Sequence, residues 1–170
     1  MKNECLSVVD EYDRVVGTRL RGEIHALGLR HRAVHILVFR TDDEMFLQKR
    51  SMTKDINPGL WDTAAAGHVD AGETYDSCAM RELDEELGIS LANTPELLFK
   101  LPASAETGME FVHVYRVFHP GPFQLNEEEI DGGRWIALEE FDAWLDGGGK
   151  DVTNTLKAIW REFRKTRHER

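Results

Sequence analysis

Glu82, Glu85 and Glu86 fall within one short stretch, "GETYDSCAMRELDEELG" (72–88), whose residues favour a helix. At ~100° per residue these three carboxylates share an arc of roughly 100°, with the small Cys78 one turn earlier. Glu82 and Glu86 form a like-charge i,i+4 pair, which costs a helix a few tenths of a kcal/mol. Glu85 and Glu86 also sit beside the helix C-terminus, where the macrodipole disfavours anions. A hard divalent cation with oxygen ligands, Mg²⁺ or Mn²⁺, relieves that repulsion. A paired "EE" alone more often marks a solvated helix face, so the cation reading depends on what surrounds the three glutamates.

The elements that must position them can be read from the pattern. Leu83, Leu87 and Met80 occupy the adjacent arc and are expected to bury against a sheet. Gly88 suits a left-handed C-terminal cap, and Ile89 suits the apolar contact that follows one. Upstream, "LSVVD" and "RVVGTRL" flanking "EYD" predict an N-terminal hairpin. "HRAVHILVFR" (31–40) is nearly all apolar in its second half and predicts a central strand buried on both faces. "TDDE" turns it into a second strand, "MFLQKR". The segment "DINPGLWDTAAAGHVDAGE" is long and rich in small residues, as in a site-forming loop. A strand pair ("ELLFKLPA", "MEFVHVYRVF"), a short strand "GGRWIAL" and two helices (138–146, 152–168) complete the order. Strands, helix, strands, helices imply a mixed sheet covered on both faces.

The chain has 170 residues, enough for one domain with a sizeable core. Its longest apolar runs, such as "AVHILVF", are too short to span a bilayer. The N-terminus lacks the basic and apolar regions of a secretory signal. Cys5 and Cys78, the only cysteines, make no disulfide framework, so a cytoplasmic location is expected. The net charge of −10 argues against broad nucleic-acid binding. The locally basic "WREFRKTRHER" reads as the solvated face of a final helix. An acidic chain still binds phosphates when a metal ion stands between.

From Gly67 the chain runs Gly, five residues, Glu73, seven residues, then Arg81-Glu82-Leu83-Asp84-Glu85-Glu86-Leu87-Gly88-Ile89. This resembles the Nudix box, GX5EX7REUXEEXGU with U aliphatic, at every specified position. The stretches "RGEIHALGLRHRAVHILVF", "DINPGLWDTAAAGHVDAGET" and "MEFVHVY" are similar to the isopentenyl-diphosphate-isomerase-like branch of that superfamily, over residues 5–145. The resemblance implies an α/β/α sandwich with a mixed β-sheet, here with an N-terminal β-hairpin extension, and residues 1–170 as a single Nudix hydrolase domain. It implies hydrolysis of a diphosphate linkage in a nucleoside diphosphate derivative, or a related small diphosphate, with Mg²⁺ or Mn²⁺ as cofactor.

By position, Glu82, Glu85 and Glu86 would hold metal together with the Gly67 carbonyl, and Glu73 would pair with Arg81 as a brace. The general base would be Glu85, or Glu128 or Glu129 of "LNEEEI". Lys49 and Arg50, at the end of the second strand, are candidates for phosphate contacts or for plain surface charge. Trp61 and Phe111 would stack a base or simply join the core. His25, His31, His68 and Glu110 match residues that hold a metal in the isomerases, a candidate second site; otherwise His31 and His68 are hydrogen-bonded packing residues. His35 is expected to be a satisfied core histidine. The isomerases' catalytic cysteine is replaced by Ala66, and "ELLFKLPASAE" lacks their tyrosine, which disfavours isomerisation as the alternative activity. The intact carboxylate set disfavours the other alternative, a non-catalytic nucleotide sensor. A homodimer is left open.

Overall fold

The computed structural model describes residues 4–168. Strands β1 (Cys5–Val9) and β2 (Val15–Leu20) form the expected antiparallel hairpin, a two-stranded sheet of its own. A short helix α1 (Arg21–Leu27) follows, which the sequence did not announce. It buries Ile24 and ends at Gly28 in the left-handed region (φ 64°). β3 (His31–Thr41) is the central strand, and the turn after it leads into β4 (Glu44–Arg50). The small-residue segment is not purely loop: it contains β5 (Trp61–Thr63) and β6 (Ala65–His68). The acidic helix is α2 (Tyr75–Leu87), followed by β7 (Glu96–Leu101), β8 (Glu110–Phe118), β9 (Ile130–Ala137), α3 (Leu138–Asp146) and α4 (Asn154–His168).

The main sheet runs β5-β4-β3-β8-β7, with β6 also paired to β3 and β9 to β4. It is mixed: β3 and β8 are parallel, and the other pairs are antiparallel. On one face Val34, Ile36 and Val38 of β3 pack with Leu83 and Leu87 of α2. On the other, Leu37 and Phe39 pack with Phe141 of α3 and Trp160 of α4. The sheet is thus covered on both faces, as the uninterrupted apolar run of β3 requires. The basic end of α4 is a solvated face, with Arg164 and Arg167 paired to Asp142. Among the described residues no helix is long and apolar enough to cross a membrane.

Register brings distant residues together. In the parallel β3–β8 pair His31 lies beside Glu110, and in the antiparallel β3–β6 pair Ala33 lies beside His68. Because strand side chains alternate, His31, Ala33 and His35 share the face towards α4 with Glu110 and His68. Gly67, beside Val34, faces α2 instead.

Candidate functional site

The Thr74 hydroxyl caps α2 by accepting from Ser77 N–H at 3.1 Å. At the other end Gly88 takes φ 69°, and the N–H groups of Gly88 and Ile89 close on Asp84 O and Leu83 O at 3.0 and 3.2 Å. This Schellman-type end leaves Glu82, Glu85 and Glu86 on the last turns, as anticipated. Leu83 and Leu87 are buried, and Met80 is half-buried.

Glu86 is 5% exposed, and its Oε2 accepts from the Ala66 N–H at 2.8 Å. Burial, and then the charge of Glu82, push its carboxyl well above the usual range. Burial likewise pushes Glu82 up to about 7; Arg81 opposes the rise and Glu85 adds to it. Gly67 is where β6 meets this helix. A Cβ there would overlap the Glu82 carboxylate, so only glycine lets the two approach. Glu85 is the outer member, with its side chain 54% exposed.

Arg81 organises the group. Its Nε and Nη2 donate to the two Glu73 oxygens at 2.8 and 2.9 Å, a bidentate pair. Nη1 donates to Glu82 at 2.8 Å and Glu85 at 3.1 Å, and Nη2 also reaches the His68 carbonyl at 3.1 Å. The predicted Glu73–Arg81 contact is therefore present, and Arg81 also spans the box carboxylates.

His25, His31, His68 and Glu110 converge as a second cluster, with one potential ligand atom from each lying within 4.8 Å of the others. The three imidazole rings stand 5.2–5.4 Å apart. Glu110 Oε2 accepts from His68 Nε2 at 2.8 Å and lies 3.3 Å from His31 Nε2. Burial alone would raise Glu110, but the contacts with His31 and His68 outweigh it and hold the carboxyl below the usual range. Burial, then the neighbouring His68, push His25 down to about 4. His31 anchors Nδ1 on Leu29 O at 2.9 Å, while its buried Nε2 makes no hydrogen bond.

Glu82, Glu85 and Glu86 line one cavity of about 460 Å³ together with His25, His68 and Glu110; His31 lies behind this lining. Gly67 and His68, neighbours on β6, face opposite sides, so one short strand serves both. Three further cations line it. Arg21 is held by Asp55 at 2.7 and 2.9 Å, and Arg50 bonds the Ile56 and Asn57 carbonyls at 2.8–3.2 Å. Lys54, which the sequence reading missed, pairs with Glu129 across the cavity. Of the expected phosphate contacts, Arg50 lies in the lining and Lys49 does not. Of the late-loop carboxylates, Glu129 lines the cavity, whereas Glu128 is exposed outside it.

His35 is a buried histidine with Nδ1 2.8 Å from Thr63 Oγ1, and it also edges the cavity. Trp61 packs against the α3–α4 core and meets Trp144 edge to face. No Phe, Tyr or Trp among the described residues lines the cavity, so neither Trp61 nor Phe111 stands where it would stack a base.

Comparison with known proteins gives a consistent result. The NUDIX domain family matches residues 29–156. A Nudix hydrolase of Streptomyces coelicolor, described as uncharacterized, is 46% identical over 160 residues, covering 94% of this chain and 88% of its own. One from Pseudomonas aeruginosa, likewise described, is 39% identical over 144 residues, covering 81% and 83%. The crystal structure of DR0079 from Deinococcus radiodurans superposes with a TM-score of 0.81 at 28% identity, covering 93% of this chain and 98% of its own.

Proposed function

The chain belongs to the Nudix family, and we propose that it is a divalent-metal-dependent hydrolase cleaving a diphosphate linkage in a nucleoside diphosphate derivative. The observation that carries this reading is the meeting of Glu82, Glu86 and Gly67. The buried Glu86 and the nearly buried Glu82 stand together with their proton affinities raised, beside a glycine at which a Cβ would meet the Glu82 carboxylate. Without a cation the arrangement is costly; hard oxygen donors in this number suit Mg²⁺ or Mn²⁺. When bound there, the ion would neutralise phosphate charge and lower the pKa of water.

This chain's residues take the following parts. Glu82, Glu85, Glu86 and the Gly67 carbonyl hold the ion. The Arg81–Glu73 pair fixes α2 against the β6 loop. Arg50 and Lys54 supply positive charge for the diphosphate. Glu129 is the general base, taking the proton from the attacking water as its oxygen bonds to phosphorus. We favour Glu129 over Glu85 because the Glu85 carboxylate is assigned to the ion and turned largely to solvent, whereas Glu129 lines the cavity outside that ligand set. Residues 1–170 are read as one such domain.

We read His25, His31, His68 and Glu110 as a second cation site, and the convergence of four potential ligand atoms within 4.8 Å, one of them a buried His31 Nε2 that makes no hydrogen bond, is the feature that fits a metal. The resemblance to the isomerase-like branch is not supported by the comparisons, which give Nudix hydrolases.

The test is a panel of nucleotides, nucleotide sugars and dinucleotides screened for Mg²⁺- or Mn²⁺-dependent phosphate release. Glu86→Gln should lose most activity and still fold, because a glutamine Oε1 can accept the Ala66 N–H as the carboxylate does. Full turnover by Glu86→Gln in chelator would sink the assignment.

A further inference from the structure

We infer that Lys54 exchanges partners during the reaction: it is the counter-ion of Glu129 in the free protein and of the substrate diphosphate in the complex. Its departure is what frees the Glu129 carboxylate to take a proton. The inference rests on the role of Glu129 proposed above.

Lys54 and Glu129 come from two loops, between β4 and β5 and between β8 and β9, that meet over the cavity. Their backbones are tied independently of the side-chain contact. Ser51 N–H donates to Glu129 O at 3.0 Å, Glu129 N–H to Asn126 O at 3.0 Å, and Asn126 N–H to Glu86 O at 3.0 Å. The last bond fixes the Glu129 loop to the end of α2, beside the box carboxylates. Both side chains can therefore change partner while their loops stay in place.

The three cations of the lining are held differently. Arg21 is clamped by the two oxygens of Asp55, and Arg50 by backbone carbonyls of its own loop. The ion pair of Lys54 is with a carboxylate that itself faces the cavity. An ammonium on a four-carbon stem has three rotatable donors and turns readily from one anion to another, unlike a planar guanidinium in a bidentate pair. Lys54 lines the same cavity as Glu82, Glu85 and Glu86, the carboxylates that would hold the ion and its diphosphate.

While Lys54 sits on Glu129, its ammonium engages Oε2 and shares the carboxylate's negative charge. Once it moves to a phosphate oxygen, Glu129 Oε2 is open to a water. The water oxygen then bonds to phosphorus, its proton passes to Glu129, and the bridging P–O bond breaks with its electron pair leaving on the departing phosphate. The base becomes available only when a diphosphate is present.

Methylenediphosphonate, whose bridge does not hydrolyse, is the probe, titrated calorimetrically with saturating Mg²⁺. Lys54→Met should weaken its binding by roughly 10- to 100-fold, the range of one charge-assisted hydrogen bond. Lys54→Arg should recover most of that loss. Glu129→Gln should bind the probe more tightly than the unmodified protein, because Lys54 no longer has to leave an anion. A merely structural latch would move both variants in the same direction.

Thermal melts of each variant show whether it is folded. Weaker binding by folded Glu129→Gln, or unchanged binding by Lys54→Met, overturns the exchange. Tighter binding by Glu129→Gln with undiminished kcat leaves the exchange standing and overturns the base role.

Discussion

Replacing Glu82 by Gln should stabilise the metal-free protein at alkaline pH. In the folded chain the Glu82 carboxyl sits at about 7 instead of its ordinary 4.5. Holding it ionised above pH 7 therefore costs the fold about 3 kcal/mol. The sign follows from linkage: a raised carboxyl gives stability that is fully present below pH 4.5 and is lost as pH climbs through about 7. Glutamine carries no such charge yet keeps an oxygen for the Arg81 Nη1–H, which donates to Glu82 at 2.8 Å. In chelator at pH 8, Glu82→Gln should melt higher than the unmodified protein by about 6–12 °C, at about 2–4 °C per kcal/mol for a chain of this size. At pH 4.5 the two melts should nearly coincide. Saturating Mg²⁺ should reverse the order at pH 8, because the unmodified site gains a ligand that the variant binds poorly. Scanning calorimetry at both pH values, with and without metal, provides the measurement. If Glu82→Gln in chelator is destabilised equally at both pH values, its charge is not held against burial and its neighbours' repulsion, and the cation reading fails.

Arg81→Ala should lower both activity and melting temperature, since it strands Glu73 and Glu82 together. The expected loss is near the lower end of the roughly 3–5 kcal/mol seen for broken buried pairs, and an unchanged melt with only KM raised would make Arg81 a phosphate ligand instead. Gly67→Ala should displace the Glu82 carboxylate and weaken Mg²⁺ affinity by at least ~10-fold, as loss of one ligand does; unchanged affinity in a calorimetric titration would count against Gly67 as part of the site. The protein should incorporate no deuterium into isopentenyl diphosphate in heavy water, because Ala66 has no proton to exchange and Glu110 is engaged by His68 and His31. Measurable dimethylallyl diphosphate would reverse that reading.

What could be read from the sequence was what is local along the chain. The Arg81-to-Ile89 run, the Gly88 cap and the apolar stretch of β3 each declare themselves within a few residues. Helix α1 did not, since its seven residues include Gly22 and it has no side-chain cap. β5 and β6, three and four residues long, are too short for any alternation to show. Lys49 and Arg50 looked equivalent in the sequence. The strand ends in a register irregularity between them, and only Arg50 reaches the cavity.

The remaining parts of the site depend on register. His31 meets Glu110 because β3 and β8 pair in parallel with those two residues aligned, and a slip of one residue would turn Glu110 to the opposite face. His68 joins them because β6 pairs with the first half of β3 and leaves the second half to β4. That same pairing sets Gly67 against α2. The register of one four-residue strand thus positions His68 in the histidine cluster on one face and the glycine gap for Glu82 on the other. A substitution that shifted β6 should therefore impair both clusters together, although the carboxylate helix and the histidine strand belong to different layers of the fold.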